Sequence, residues 1–266
     1  MFSQWRHRLP TLSAHGTAAQ LWRDIIRDTP FLAVLNVQEQ HRLGDLAMQL
    51  LGQKTITAAR GLVLTDAICL KIAAQACLPI LNLGLDFYAG WSGIVVYPHE
   101  FIVPLREQDE AGVEHTGHAV NLGQTFPGGP VVLALDFDRD ERFVVNAIIH
   151  EFAHKLDMLN GDADGIPPLH ADMDPRLWSR VLLTAGWRHA LRLDTEAADV
   201  IDPVAAESAA EFFAVASEVF FERPRRLRRH YPRLYQQFCR FYRQDPAARY
   251  RAGFINQPKQ ESQDAS

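Results

Sequence analysis

The segment His150–His154, which reads His-Glu-Phe-Ala-His, constrains the fold more than any other part of the chain. Its two histidines are four residues apart, and this spacing places both imidazoles on the same face of an α-helix, one turn apart. Two neutral imidazoles in that arrangement can bind one Zn²⁺ ion, and the glutamate between them can take a proton from a water molecule on the metal. We therefore predict that His150 and His154 are metal ligands and that Glu151 is the catalytic base, on a helix of about five turns that begins in the apolar segment at 143–149. The alternative is an ordinary helix with two surface histidines.

Composition and charge narrow the class of protein. The chain has 266 residues, of which 47% are hydrophobic and 22% are charged, as is usual for a globular protein with a sizeable core. A formal net charge of -5 gives no general attraction to nucleic acids or anionic membranes, so we expect no direct nucleic-acid partner. No apolar run is long enough to span a bilayer. Three cysteines, and a first segment without the apolar core of a signal peptide, indicate a cytoplasmic protein.

The apolar periodicity predicts a mainly helical α+β fold, in which a small sheet packs beside the helix of the histidine motif. We expect helices at 17–27, 37–51, 66–81 and 204–221, a further helix that begins at Pro175, and a last helical region, an amphipathic helix pair, at 224–243. We expect strands at 93–97 and 131–137, with a loop or hairpin tip at 104–118. A single catalytic domain then covers residues 17–252, between a flexible arm at 1–16 and a disordered tail at 253–266.

The predicted strand at 131–137 leads directly into the motif helix. A strand beside such a helix can bind an extended peptide along its free edge by backbone hydrogen bonds. We therefore consider this strand a candidate template for a peptide substrate. An ordinary interior strand is the alternative.

A catalytic zinc ion usually has a third protein ligand, and the short motif does not supply one. Three acids follow on a later helix, namely Glu207, Glu211 and Glu218. Their spacings of four and seven residues place them near one helical face, where small and aromatic neighbours indicate burial. A buried carboxylate needs a partner, which can be a metal ion or a nearby arginine. The spacing alone does not choose among the three.

Several segments together carry a resemblance to a known family. The longest are His-Glu-Phe-Ala-His-Lys-Leu-Asp at 150–157 and Glu-Phe-Phe-Ala-Val-Ala-Ser-Glu-Val-Phe-Phe at 211–221. Further matches are Thr65-Asp66, the run at 72–77, Tyr97-Pro98 and the segments at 238–242 and 244–246. These residues resemble the zinc peptidases of the Mlc titration factor A family, which are of the gluzincin type, and the resemblance covers about residues 15–250.

The resemblance implies a zinc metallopeptidase with one Zn²⁺ per chain and an aminopeptidase-like preference for short peptides. It implies that Glu211 is the third zinc ligand and that Glu151 is the catalytic glutamate. Separately, Asp157 lies three residues after His154, where it is a candidate to orient a ligand imidazole by accepting its second N–H group. A solvated acid in the turn is the alternative for Asp157.

One position departs from the family pattern. The family has a tyrosine seven residues before the ligand glutamate, where its hydroxyl can stabilise the tetrahedral oxyanion, and this chain has Val204 there. Loss of one such donor typically lowers the rate by about 10²–10³. Tyr97, Tyr231 or an arginine are candidates to replace it.

The departure at residue 204 also supports an alternative function. The family is named for sequestering the transcriptional repressor Mlc, which controls genes of glucose uptake. The chain would then act mainly as a regulator that binds this repressor, with little catalysis.

Overall fold

The computed structural model describes residues 3–5, 17–108, 114–135, 146–195 and 199–250. The predicted tail at 253–266 and most of the predicted arm at 1–16 lie outside the described residues. Within the arm, Ser3–Trp5 form a short strand.

The N-terminal half of the described chain contains the four helices α1 (Thr17–Asp28), α2 (Pro30–Ala33), α3 (Val37–Gln53) and α4 (Asp66–Cys77). At the start of α3, the side chain of Asn36 accepts the N–H of Glu39 at 2.9 Å, and the Glu39 carboxylate accepts the N–H of Asn36 at 3.0 Å. The hydroxyl of Thr65 caps α4 in the predicted way. The first two predicted helices are confirmed, and α4 ends four residues before the predicted end at 81.

The C-terminal half of the described chain contains the six helices α5 (Ala147–Asp157), α6 (Pro175–Asp194), α7 (Ala209–Glu222), α8 (Pro224–His230), α9 (Pro232–Tyr242) and α10 (Pro246–Arg249). Four of these helices begin with proline, whose fixed φ suits the first helical position and whose missing N–H is not needed there.

The motif helix α5 is shorter than predicted. It has 11 residues, or about three turns, and it begins at Ala147 because Asn146 caps its first turn. The earlier part of the predicted helix, at 143–145, lies outside the described residues.

The prediction of one continuous helix at 204–221 is wrong. Pro203–Ala206 form a 3₁₀ turn, and α7 begins only at Ala209. Between them Ser208 has an extended backbone, and its hydroxyl accepts the N–H of Glu211 at 3.0 Å. Serine competes with helical hydrogen bonding in this way, which is why it starts a helix better than it continues one.

The seven described strands are β1 (Ser3–Trp5), β2 (Thr55–Ala58), β3 (Gly93–Tyr97), β4 (Phe101–Gln108), β5 (Glu114–Asn121), β6 (Gly123–Thr125) and β7 (Val131–Ala134). Five of them form a mixed sheet in the order β1-β2-β3-β7-β6, in which β2, β3 and β7 are parallel. β4 and β5 form a separate antiparallel pair, so most of the segment at 104–118, predicted as a loop or hairpin tip, lies in strands. Residues 109–113, between the two strands, lie outside the described residues.

β7 is an interior strand, because it pairs with β3 on one side and with β6 on the other. The hypothesis that this strand offers a free edge to a peptide is therefore wrong, and the alternative of an interior strand is confirmed. The edge of the sheet nearest α5 belongs to β6, which is antiparallel to β7.

The core holds α5 and α7 together. α5 packs against β6 and β7 on one side and against α4 and α7 on the other. Most of α7 is buried, and its phenylalanines join an aromatic cluster with α6 and α9 that contains Trp178, Phe213, Phe220, Phe238, Phe241 and Tyr242. Each buried aromatic side chain of this kind stabilises the fold by about 1.5–3 kcal/mol. The predicted class, a mainly helical α+β fold with a small sheet beside the motif helix, is confirmed.

Candidate metal centre

α5 carries the histidine motif on its inner side. The Asn146 side chain accepts the N–H of Ile149 at 3.1 Å and fixes the first turn. Ile149 and Phe152 are fully buried in the core, which sets the rotation of the helix. His150 and His154 then lie one turn apart, with ring centroids 4.8 Å from each other.

α7 brings a carboxylate to these imidazoles. Glu211 lies in the first turn of α7, and its two oxygens lie 3.1 Å from Nε2 of His150 and 3.2 Å from Nε2 of His154. One donor atom from each of the three residues falls within 4.8 Å of the other two. Two imidazoles and one glutamate are the protein ligands of a common class of catalytic zinc site. The donor set therefore fits a divalent metal ion.

The electrostatics of the cluster favour a cation. Burial disfavours the charged imidazole of His150, but hydrogen bonds with Glu211 and Glu218 outweigh it and raise the His150 pKa well above its usual value. Burial likewise tends to raise the pKa of Glu211, yet the two histidines hold it far below its usual range. A metal ion bound to the deprotonated ligands neutralises the same negative charge that favours protonation, so protons and the metal ion compete for this site.

A buried hydrogen-bond network contacts His150 at Nδ1, on the side of the ring opposite Nε2. Its Nδ1 lies 2.8 Å from Oε1 of Glu218, which is only 3% exposed. The other oxygen of Glu218 accepts the N–H of Asn146 at 2.7 Å, and the Asn146 amide donates to Gln75 and Glu222. With Nδ1 as the donor, Nε2 of His150 presents its lone pair toward Glu211 and the metal position.

Glu151 lies between the histidine cluster and the edge strand β6. The Thr125 hydroxyl donates to its Oε2 at 2.6 Å. A Cβ atom at Gly123 would lie 2.3 Å from its Oε1, so only glycine leaves room for the carboxylate. Burial raises the pKa of Glu151, and the two imidazoles and Thr125 oppose this rise. The arrangement suits a group that accepts and later releases a proton.

Lys155 fixes the turn that follows β6. Its buried ammonium donates to the carbonyl oxygens of Phe126 at 2.7 Å and of Gly129 at 2.8 Å. The same residue belongs to the motif helix, so the turn between β6 and β7 is attached directly to α5. This attachment fixes the position of Thr125 relative to Glu151.

Asp157 is completely buried at the C-terminal end of α5. Its Oδ2 accepts the N–H of Gly165 at 2.8 Å, whereas its Oδ1 has no hydrogen-bond partner. Nδ1 of His154 is also buried without a partner. Burial raises the pKa of Asp157 to about 6. The predicted hydrogen bond between these side chains is therefore absent here, and a role of Asp157 in orienting a ligand histidine stays a prediction.

Residue 204, where the family pattern has a tyrosine, is a valine in this chain. Val204 is 43% exposed in the 3₁₀ turn before α7. Tyr231 is not a free substitute, since its buried hydroxyl donates to Asp199 in a very short hydrogen bond. The ring of Tyr97, another candidate, packs on Phe101 with centroids 5.0 Å apart.

The three candidate ligands from the later acids have different environments. Glu211 joins the histidines, Glu218 lies behind His150, and Glu207 is exposed at the end of the 3₁₀ turn. The seven-residue spacing placed Glu218 on the same helical face as Glu211. It did not show that the two residues, which are two turns or about 10 Å apart along the helix, have different neighbours and different roles. Thr125 and Gly123 were not predicted, because nothing in a three-residue strand indicates which helix residue it faces.

Comparison with known proteins identifies the family. A family model described as glucose-regulated metallo-peptidase M90 matches residues 2–243. The chain belongs to this family. Two relatives are the Mlc titration factor A of Yersinia pestis (strain Pestoides F) and that of Yersinia pseudotuberculosis (serotype O:1b, strain IP 31758). Each is 40% identical over 239 residues, which cover 86% of this chain and 86% of the relative.

The membership and the geometry agree that this M90 chain is a metallopeptidase with a candidate His-His-Glu metal site. Among the described residues, no helix combines the length and the apolar character needed to cross a membrane.

Proposed function

We propose that this member of the M90 family is a zinc-dependent peptidase with an aminopeptidase-like preference for short peptides. One observation carries the proposal: the donor atoms of His150, His154 and Glu211 converge within 4.8 Å, with the buried carboxylate of Glu151 beside them. These three residues would hold one zinc ion per chain. The free cysteines among the described residues agree with a reducing compartment, so we include a cytoplasmic location in the proposal.

Zinc at this site would supply Lewis-acid activation of a water molecule and of the scissile carbonyl. Glu151 accepts the proton of the attacking water at Oε1, because Thr125 occupies Oε2. Its raised pKa lets it retain this proton until the peptide bond breaks, and it then donates the proton to the leaving amine. His150 remains oriented throughout by Glu218.

Among the described strands, β6 pairs only with β7, and its other edge is the proposed binding site for the extended substrate. An extended peptide can pair with an exposed edge through main-chain hydrogen bonds, and the adjacent side chains select its residues. β6 has three residues, about 10 Å of strand, so it can pair with only two or three residues of the peptide. This short contact supports a preference for short peptides.

The test combines metal analysis with hydrolysis. We expect one zinc per chain and chelator-sensitive hydrolysis of chromogenic aminoacyl substrates, with N-acetylated versions cleaved more slowly. Glu151→Gln should abolish hydrolysis and keep the metal, whereas Glu207→Gln, at an exposed acid, serves as the matched control. A wild-type protein without bound metal would refute the ligand assignment, and equal cleavage of acetylated substrates would refute the aminopeptidase preference.

A second proposed function is regulation by binding a transcriptional repressor. The relatives carry the name Mlc titration factor A, and the exposed Val204 in place of an oxyanion tyrosine favours a role with weak catalysis. In this proposal the chain binds Mlc and thereby affects genes of glucose uptake.

Glu151→Gln separates the two functions. If regulation depends on binding alone, calorimetry should show that purified Mlc binds the variant as tightly as it binds the wild type. The absence of binding by either protein would refute the regulatory proposal and leave the peptidase proposal intact.

A further inference from the structure

α6 presents an apolar stripe to solvent. Leu183 is 64% exposed, Trp187 is 71% exposed and Leu191 is 47% exposed, and they follow one another at intervals of four residues. The opposite face of α6 is buried in the core. A helix on the surface of a monomer normally shows polar residues on its outer face, so this row of three apolar side chains is a candidate contact surface.

The stripe is symmetric about Trp187. Leu183 and Leu191 lie four residues to either side of it, and Arg180 and Asp194 lie seven residues to either side. At about 100° per residue, all five side chains fall within an arc of about 80° on the helix surface. Arg180 and Asp194 are both exposed, and neither forms an ion pair with another residue that the structure describes.

This arrangement is complementary to itself. If two α6 helices cross antiparallel with a two-fold axis at Trp187, each Leu183 meets Leu191 of the other copy. The same rotation brings Arg180 of each copy to Asp194 of the other copy, which places one ion pair at each end. A two-fold interface requires such a self-complementary surface, because one patch must supply both halves of the contact.

We propose that α6 is a self-association surface through which two copies of this chain pair, with Leu183, Trp187 and Leu191 as the apolar contact. The binding partner is a second copy of the chain, because the same stripe contains both the apolar residues and the opposite charges that the contact requires. The exposed tryptophan at its centre is the residue type that most often dominates such contacts.

The size of the stripe indicates weak pairing. From Arg180 to Asp194 the helix is about 21 Å long and about 10 Å wide, which is well below the ~800 Å² per partner of a standard stable complex. We therefore expect a reversible equilibrium in which the dimer becomes populated at high micromolar to millimolar concentrations, on the order of 10⁻⁴ M.

Sedimentation equilibrium of the full, metal-loaded chain tests the pairing. The average mass of the wild type should rise from the monomer toward the dimer as concentration increases. Trp187→Glu should weaken association about tenfold or more, because it buries a charge at the centre. Val63→Glu is the matched control, since Val63 is 75% exposed in the segment between β2 and α4. Unchanged thermal unfolding and hydrolysis would show that both variants remain folded.

Charge reversal tests the register. Arg180→Asp and Asp194→Arg should each weaken the dimer, because each places like charges opposite one another, and the double variant should restore it. Cysteine cross-linking gives an independent readout: a mixture of Leu183→Cys and Leu191→Cys chains should cross-link more than either chain alone. A wild type that remains monomeric at millimolar concentration would overturn the proposal, as would a double variant no better than the single ones. Neither outcome would affect the proposed peptidase activity.

Discussion

Replacement of Gly123 by alanine is expected to impair catalysis while leaving the fold intact. The added Cβ would lie 2.3 Å from Oε1 of Glu151, 2.5 Å from its Cγ and 2.6 Å from its Cδ. A carbon and an oxygen atom need about 3.3–3.6 Å, so the carboxylate must move by about 1 Å. A displacement of that size in a catalytic group lowers the rate by about 10²-fold, which corresponds to about 2.7 kcal/mol of transition-state stabilisation. Gly123 does not have a positive φ, so alanine introduces no backbone strain there.

Steady-state kinetics with metal analysis gives the readout. We expect kcat to fall about 10²-fold while KM changes little and one metal ion per chain remains bound. Gly52→Ala is the matched control, because its Cβ would contact nothing within 4 Å. Thr125→Val should lower kcat in the same sense by removing the hydrogen bond to Oε2, and Thr125→Ser, which keeps a hydroxyl, should restore most of it.

A Gly123→Ala enzyme with wild-type kcat and full metal content would refute this reasoning. It would show that Glu151 does not act from the position that β6 defines. A loss of metal together with activity would instead show that the alanine disturbs the whole cluster.

Three further predictions concern other residues of the site. Glu218→Gln should weaken metal binding by about 10–100-fold, because His150 loses a charged acceptor at Nδ1, and a metal-competition titration that finds wild-type affinity would contradict this role. Val204→Tyr should raise kcat by up to about 10²-fold if its hydroxyl reaches the oxyanion, and an unchanged kcat in the same kinetic assay would show that it does not. Burial raises the pKa of Asp157 to about 6, so the folded state binds its proton more tightly than the unfolded state does. In the metal-free wild type, the contribution of Asp157 to the free energy of unfolding is therefore highest below pH 4 and falls by up to ~3 kcal/mol as the pH rises to 6. Asp157→Asn should not show this pH-dependent loss. Urea unfolding at several pH values measures it, and equal pH profiles of the two proteins would disprove it.

The sequence predicted the elements whose signals are local. The capping residue Thr65, the apolar stripes of the long helices and the β-branched run of β3 all act within a few residues. For the same reason the helix that carries His150 and His154 could be recognised directly from their spacing.

Predictions failed where tertiary context decides the outcome. The apolar composition of 204–221 predicted one helix, but the 3₁₀ turn ends at Ala206, and Ser208 starts α7 by accepting the N–H of Glu211. This break places Glu207 outside α7, although its spacing from Glu211 suggested a shared face. The pairing of β7 on both sides likewise depends on β6, whose three residues carry almost no periodic signal.

The supporting residues of the site are the least predictable part. Glu218 could be found as a candidate acid, but only the packing of α7 on α5 shows that it contacts Nδ1 of His150. The contact between Thr125 and Glu151 joins residues 26 positions apart on a strand and a helix. No sequence spacing encodes such a contact.

The shortness of β6 has a consequence for aggregation of the protein. An unpaired sheet edge can pair with any other extended chain, including misfolded copies of the same protein, and such edges commonly seed aggregation. Three residues provide too few hydrogen bonds for a lasting association, and Lys155 turns the chain away directly after the strand by binding the carbonyls of Phe126 and Gly129. The shortness of β6 therefore protects the protein from polymerising through this edge, and it would also make a bound peptide easy to release.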